Sequence, residues 1–104
     1  MNNFIKKLPE KPTFRQSGLN GFKYPLKNQV LEIVVEDSEI GHDGEVFSEK
    51  HTHIYYILEG TGKFIINMQE FEVSKGQLVE IPPRNTFTFK GEMRLLLVME
   101  PPHE

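Results

Sequence analysis

What most constrains this chain is how often it is interrupted. Proline, glycine and small polar clusters recur every eight to twelve residues along its 104 residues, and no eleven-residue window between them carries apolar side chains at helical spacing. Pro9, Pro12 and Pro25, with Gly18 and Gly21, break up the first part of the chain. They predict an N-terminal arm, residues 1–29, of short extended pieces that lies over something else. From Val30 the texture changes. VLEIVVE (30–36) is rich in β-branched side chains and reads as a strand, and DSEIGHDGE (37–45) as a polar turn region. HTHIYYIL (51–58) reads as a strand, EGTG (59–62) as a tight turn, and KFIIN (63–67) as the next strand, with Met68-Gln69 as a two-residue link into EFEV. SKG turns the chain into QLVEI, Pro82-Pro83 stops it, TFTF (86–89) alternates, KGE turns again, and MRLLLVME (93–100) makes a final buried strand.

Seven or eight short strands without a helix predict an all-β sandwich or barrel formed by residues 30–104 as one domain. A ferredoxin-like or other α+β fold would need a helix that the residues do not offer. Twelve basic and 15 acidic side chains, a formal −3, are scattered without a basic stripe, which argues against nucleic acid as a partner. With no cysteine, disulfides and thiolate metal sites are excluded, and a transition metal would have to use histidine, carboxylate and water. The start MNNFIKKLPEKP lacks the apolar core of a signal peptide, and no apolar run approaches the roughly 20 residues of a membrane helix. The expectation is a soluble cytoplasmic protein with no membrane partner.

YYILEGTGKFIIN (55–67) and GQLVEIPP (76–83), joined by one hairpin, resemble the two short motifs of the cupins, and the resemblance covers about residues 30 to 100. It implies a cupin-type double-stranded β-helix, or jelly-roll, barrel. Metal-binding cupins carry a histidine, any residue, a second histidine and, three or four residues on, a glutamate in the first motif. One more histidine follows the prolines of the second. If His51 and His53 are the pair, the glutamate position falls on Ile57 or Leu58, and Glu59 comes one place late. If IYYILEG is aligned on its own, His53 takes the glutamate position and the pair falls around residues 46–49, which hold no histidine. Phe87 stands where the second motif's histidine would be. No alignment supplies four ligands.

The second alignment preserves the strand's apolar alternation, and a slip of one residue would turn every side chain to the other face. Under it His51, His53, Tyr55 and Ile57 share one face, and the family register turns that face into the barrel. Two imidazoles would then sit side by side at the cavity mouth, with Tyr55 beneath and Phe87 approaching from a neighbouring strand.

Histidines two apart on a strand can chelate one metal, but a zinc or iron site needs a third protein ligand. Glu49 is the candidate, giving Glu49, His51 and His53 for a divalent zinc, iron, nickel or manganese ion. In the competing reading the histidines bond to water, backbone or ligand and no metal binds, Phe87 having replaced the cross-barrel ligand. His51, His53 and Tyr55 are also candidates for catalytic proton transfer on a small carbonyl or sugar substrate, similar to cupin keto-sugar isomerases and epimerases that use paired histidines. Among the aromatic residues, Tyr55 and Phe87 are placed in the pocket, while Tyr56, Phe64, Phe71 and Phe89 read as core and interface. Arg84 at the rim is a candidate for holding an anionic ligand. Asn85 reads as a left-handed turn residue, and His42 and His103, in a turn and a tail, read as solvated. The run LLLV (95–98) is a buried strand, part of which could form the face of a homodimer, since small cupins commonly pair.

These residues together predict a small cupin that binds a small polar or amphiphilic molecule in its barrel through His51, His53, Tyr55, Arg84 and Phe87, without a complete metal site. The alternatives are a compact metal- or histidine-dependent enzyme of isomerase, epimerase or oxygenase type, and an assembly module with a filled barrel.

Overall fold

A computed structural model describes residues 4–27 and 30–102. Among them there are nine strands and no helix: β1 (Phe14–Gln16), β2 (Leu19–Lys23), β3 (Glu32–Ser38), β4 (Val46–Phe47), β5 (Thr52–Ile66), β6 (Gln69–Ser74), β7 (Leu78–Ile81), β8 (Thr86–Lys90) and β9 (Met93–Glu100). All pairings are antiparallel, in the order β1-β2-β3-β9-β5-β8-β4, with β6 and β7 also paired to β5. The sheet curls into the all-β cupin barrel that the motif residues implied. Its strand boundaries follow the apolar alternation closely in the C-terminal half, where MRLLLVME is β9 residue for residue.

β5 organises the barrel. Its first half pairs with β7 and β9, and its second half with β6 and β8, so one 15-residue strand belongs to both sides. The segment EGTG, expected to be a tight turn, is instead the middle of this strand. The register against β9 shifts between Ile57 and Glu59, a bulge that bends the strand without ending it. The glycines serve close approach: a Cβ on Gly60, whose φ is +91°, would strike the Glu92 carbonyl oxygen, and one on Gly62 the Lys90 carbonyl oxygen. The hairpin into β6 turns at Asn67-Met68 instead of Met68-Gln69. Both central residues have positive φ, 51° and 70°, as a tight antiparallel hairpin requires, and Ile66 pairs with Gln69.

Part of the N-terminal arm joins the sheet. β1 and β2 form a hairpin, and β2 continues the sheet beyond β3, with Gly21 opposite Glu36 and Leu19 opposite Ser38. Phe14 lies across from Gly21 and its ring covers that glycine's backbone, where a Cβ would collide with the ring.

One end of the barrel is filled. Phe64, Phe89, Ile57 and Leu95 are fully buried and Phe87 is 1% exposed. The rings of Phe64 and Phe89 are 5.0 Å apart and those of Tyr55 and Phe64 5.2 Å, distances at which tilted aromatic pairs attract. Burying an aromatic ring of this size typically contributes a few kcal/mol.

Candidate functional site

Above this aromatic floor, the other end of the barrel holds a cavity of about 710 Å³, walled by β1, β2 and β3 on one side and by β4, β5 and β9 on the other. The inward face of β3 carries Glu32, Val34, Glu36 and Ser38, all buried, because alternate residues of a strand share a face. Glu32 and Glu36 line the cavity. Lys23 from β2 reaches Glu32, Nζ to Oε1 3.5 Å, at a side chain only 8% exposed. Glu36 is 7% exposed and its Oε1 has no hydrogen-bond partner among the described residues. Burial, reinforced by the neighbouring Glu32 charge, pushes the Glu36 carboxyl up from 4.5 to about 7. An ionised carboxylate cannot be left there cheaply, so the site favours the protonated acid.

The loop between β3 and β4 brings His42 into the same cavity. The bridge between Gly41 and Lys90 lays this loop on β8, where a Cβ on Gly41 would meet the Phe89 carbonyl oxygen. The His42 amide donates to the Phe89 carbonyl (2.8 Å) and the Thr88 hydroxyl donates to the His42 carbonyl (3.1 Å). The ring meets Phe89 edge-on at 5.6 Å. His42 Nδ1 lies 2.9 Å from the Gly44 carbonyl oxygen. A carbonyl only accepts, so Nδ1 carries the proton and Nε2 of the neutral ring carries the lone pair.

β5 supplies His53 and Tyr55, both buried and both lining the cavity. Their rings stack at 6.4 Å with 8° between planes, and Phe87 meets His53 at 5.1 Å and Tyr55 at 5.9 Å. Burial lowers His53 from 6.5 to about 4, with the His51 and His42 charges adding to it, so its imidazole is neutral at physiological pH. Burial, then the Glu36 charge, raises the Tyr55 phenol well above its ordinary 10, which keeps the hydroxyl a hydrogen-bond donor.

The residues singled out in the sequence are thus partly brought together. His53, Tyr55 and Phe87 form one aromatic group. His51 precedes β5, is half-buried, and lies 6.1 Å from His53 ring to ring, and its Nδ1 donates to the Pro101 carbonyl at 2.8 Å. Glu49 is exposed in the bend before the strand. Among the described residues no three His, Asp or Glu side chains gather at metal-binding spacing, Glu49, His51 and His53 included. Phe87, against His53, fills the direction from which a cross-barrel ligand would come. These residues do not fit a metal. Arg84 is exposed and holds the positive φ (69°) of its turn, with its amide bonded to the Ser48 carbonyl at 2.7 Å. Asn85, expected to take that conformation, instead ties the turn to Pro82 and Asn67 through its side chain. His103 lies outside the described residues.

His42, Glu32, Glu36 and Lys23 were not singled out as site residues in the sequence. Their signal was the presence of two carboxylates, Glu32 and Glu36, on one face of a strand and on either side of the apolar run 33–35, ahead of a histidine that follows Gly41.

The model of the cupin domain family matches residues 34–99, and the chain belongs to the cupin family. An uncharacterized protein of Methanocaldococcus jannaschii is 35% identical over 54 residues, a match spanning 48% of this chain and 43% of that protein, so less than half of the relative's length is matched. Among solved structures, Streptomyces Pac13, described as a unique nucleoside dehydratase, has a TM-score of 0.89 at 22% identity over 99% of this chain and 86% of its own. A substituted Pac13 solved with uridine gives 0.90 at 24% identity over 100% and 86%. KdgF from Halomonas sp. gives 0.80 at 13% identity over 91% and 89%. At these identities the likeness is one of fold.

Proposed function

We propose that this cupin binds a small, hydroxyl-rich molecule of the nucleoside or sugar class in its barrel and moves protons on it by general acid–base chemistry. The observation that carries this reading is the meeting of two groups in one cavity: a His42 ring whose Nδ1 is tied to the Gly44 carbonyl, leaving Nε2 as the atom free to take a proton, and a buried Glu36 carboxyl held toward its protonated form. A carboxyl kept protonated near neutral pH beside an imidazole nitrogen that can accept a proton gives one site both an acid and a base. His42 Nε2 is the base for a proton on carbon next to a carbonyl, and the Glu36 carboxyl is the donor toward a leaving or developing hydroxyl. Tyr55 and His53 orient the substrate by hydrogen bonds. The likeness to a nucleoside dehydratase and to a uridine-bound barrel of similar size supports nucleosides as the first class to test. The open, partly polar cavity speaks against a filled barrel that serves only for assembly.

The test is proton NMR in D₂O with a panel of nucleosides and free sugars, carbonyl-bearing derivatives included. Loss of a carbon-bound proton signal, or new vinylic signals from elimination of water, is expected with the native chain and not with His42→Gln of unchanged circular dichroism. Equal turnover by His42→Gln would rule out His42 as the base.

A further inference from the structure

The charge of the ligand is also written into this cavity. Resting on the reading above, we propose that Glu36 donates a hydrogen bond from its carboxylic acid form to an uncharged ligand and excludes anionic counterparts, so that the barrel takes nucleosides or free sugars and rejects nucleotides, sugar phosphates and carboxylates. Glu36 lines the cavity, and its Oε1 is buried with no partner among the described residues. A buried polar atom without a partner is destabilising, and a ligand oxygen that supplies the missing bond recovers that cost.

The charged and titratable groups around it run against an anion. Beside Glu36, β3 presents Glu32, the β3–β4 loop presents His42 and Glu45, and β5 presents His53 and Tyr55. β2 adds Lys23, the lone ammonium in the cavity lining among the described residues, and it is already engaged by Glu32 at 3.5 Å. His53 is held neutral by its burial and offers no countercharge. With Glu36 in its acid form, Glu32 and Glu45 stand against one ammonium already paired to Glu32, an arrangement that offers a phosphate or carboxylate no free cation among the described residues. An anion would also hold Glu36 in its acid form at the cost of facing Glu32 and Glu45.

Calorimetric titration with uridine and uridine 5′-monophosphate at pH 6 and pH 8 decides the matter. Uridine is expected to bind at pH 6 and to weaken about tenfold at pH 8, as the fraction of Glu36 in the competent acid form falls. The monophosphate is expected to bind at least about tenfold more weakly than uridine at both values. Glu36→Gln keeps a donor and should flatten the pH dependence of uridine to under about twofold, while Glu36→Leu, which has none, should weaken uridine at pH 6 about tenfold. Uridine binding that ignores pH in the native chain would overturn the role of Glu36 and leave the nucleoside reading standing. Equal or tighter binding of the monophosphate would overturn the selection by charge. Binding of neither probe would overturn the nucleoside reading, and this inference with it. The comparison in the native chain needs no variant, so a misfolded substitution does not remove the test.

Discussion

Glu36 and His53 make opposite contributions to stability over nearly the same pH range. Glu36 titrates at about 7 in the fold against 4.5 ordinarily, so between these values the folded state holds a proton that the unfolded state has lost. Its contribution is full below pH 4.5 and declines as pH rises to 7. His53 titrates at about 4 in the fold against 6.5, so there the unfolded state holds the extra proton. Its contribution is full above pH 6.5 and declines as pH falls toward 4. Each gap of about 2.5 corresponds to roughly 3 kcal/mol at most, and less for His53, whose ring borders the open cavity. In the overlap, pH 4.5 to 6.5, the two slopes cancel.

Removing either residue uncovers the other. Urea unfolding followed by circular dichroism at pH 4.5, 5.5 and 6.5 should show Glu36→Gln losing stability toward acid relative to the native chain, at up to about 1.4 kcal/mol per pH. His53→Gln should lose stability toward base by a comparable or smaller slope. The remaining acids contribute equally to all three proteins and drop out of the differences. Variants whose profiles run parallel to the native one would mean that both groups titrate at ordinary values, and the acid–base reading of the cavity would lose its electrostatic basis.

Three further outcomes follow from the fold. Phe89→Ala empties the centre of the aromatic floor and removes the ring that abuts His42, so a loss of about 3–5 kcal/mol is expected in urea unfolding; a loss under about 1 kcal/mol would mean that Phe89 is not central to the core. Gly60→Ala places a methyl against the Glu92 carbonyl at a φ of +91° and should cost about 1–3 kcal/mol, read as a lower melting temperature. Elemental mass spectrometry of the chain purified without chelator should find well under one equivalent of zinc, iron, nickel or manganese, unchanged in His51→Ala/His53→Ala, because Glu49, His51 and His53 do not converge; a full equivalent lost in the variant would restore the metal site.

The barrel was readable because its information is local. Alternation in TFTF and MRLLLVME, the proline stop after Ile81 and the short hairpins each specify a strand or its end without reference to the rest of the chain. The middle of β5 was misread because EGTG has the composition of a turn, while its glycines answer a tertiary demand, the close passage of the strand past Glu92 and Lys90. The cavity was half legible for a related reason. His53 and Tyr55 followed from the register of their own strand. β3 misleads: Leu31, Ile33 and Val35 are the more apolar set, yet Glu32, Val34 and Glu36 point inward. The outer face of this sheet is itself apolar, with Phe22, Ile33, Leu96 and Val98 half-buried there, so hydrophobicity does not say which face is inside. His42 lies in a polar loop, and long-range pairing with β8, the Gly41–Lys90 bridge and the bonds to Phe89 and Thr88, carries it to the cavity.

The most direct measurement is a crystal structure of the chain with a bound nucleoside, uridine first. The acid–base reading predicts density inside the barrel, an acceptor oxygen of the ligand within hydrogen-bond distance of Glu36, and a sugar carbon facing His42 Nε2. A nucleoside seated outside the barrel, or one in the cavity that touches neither Glu36 nor His42, would contradict it.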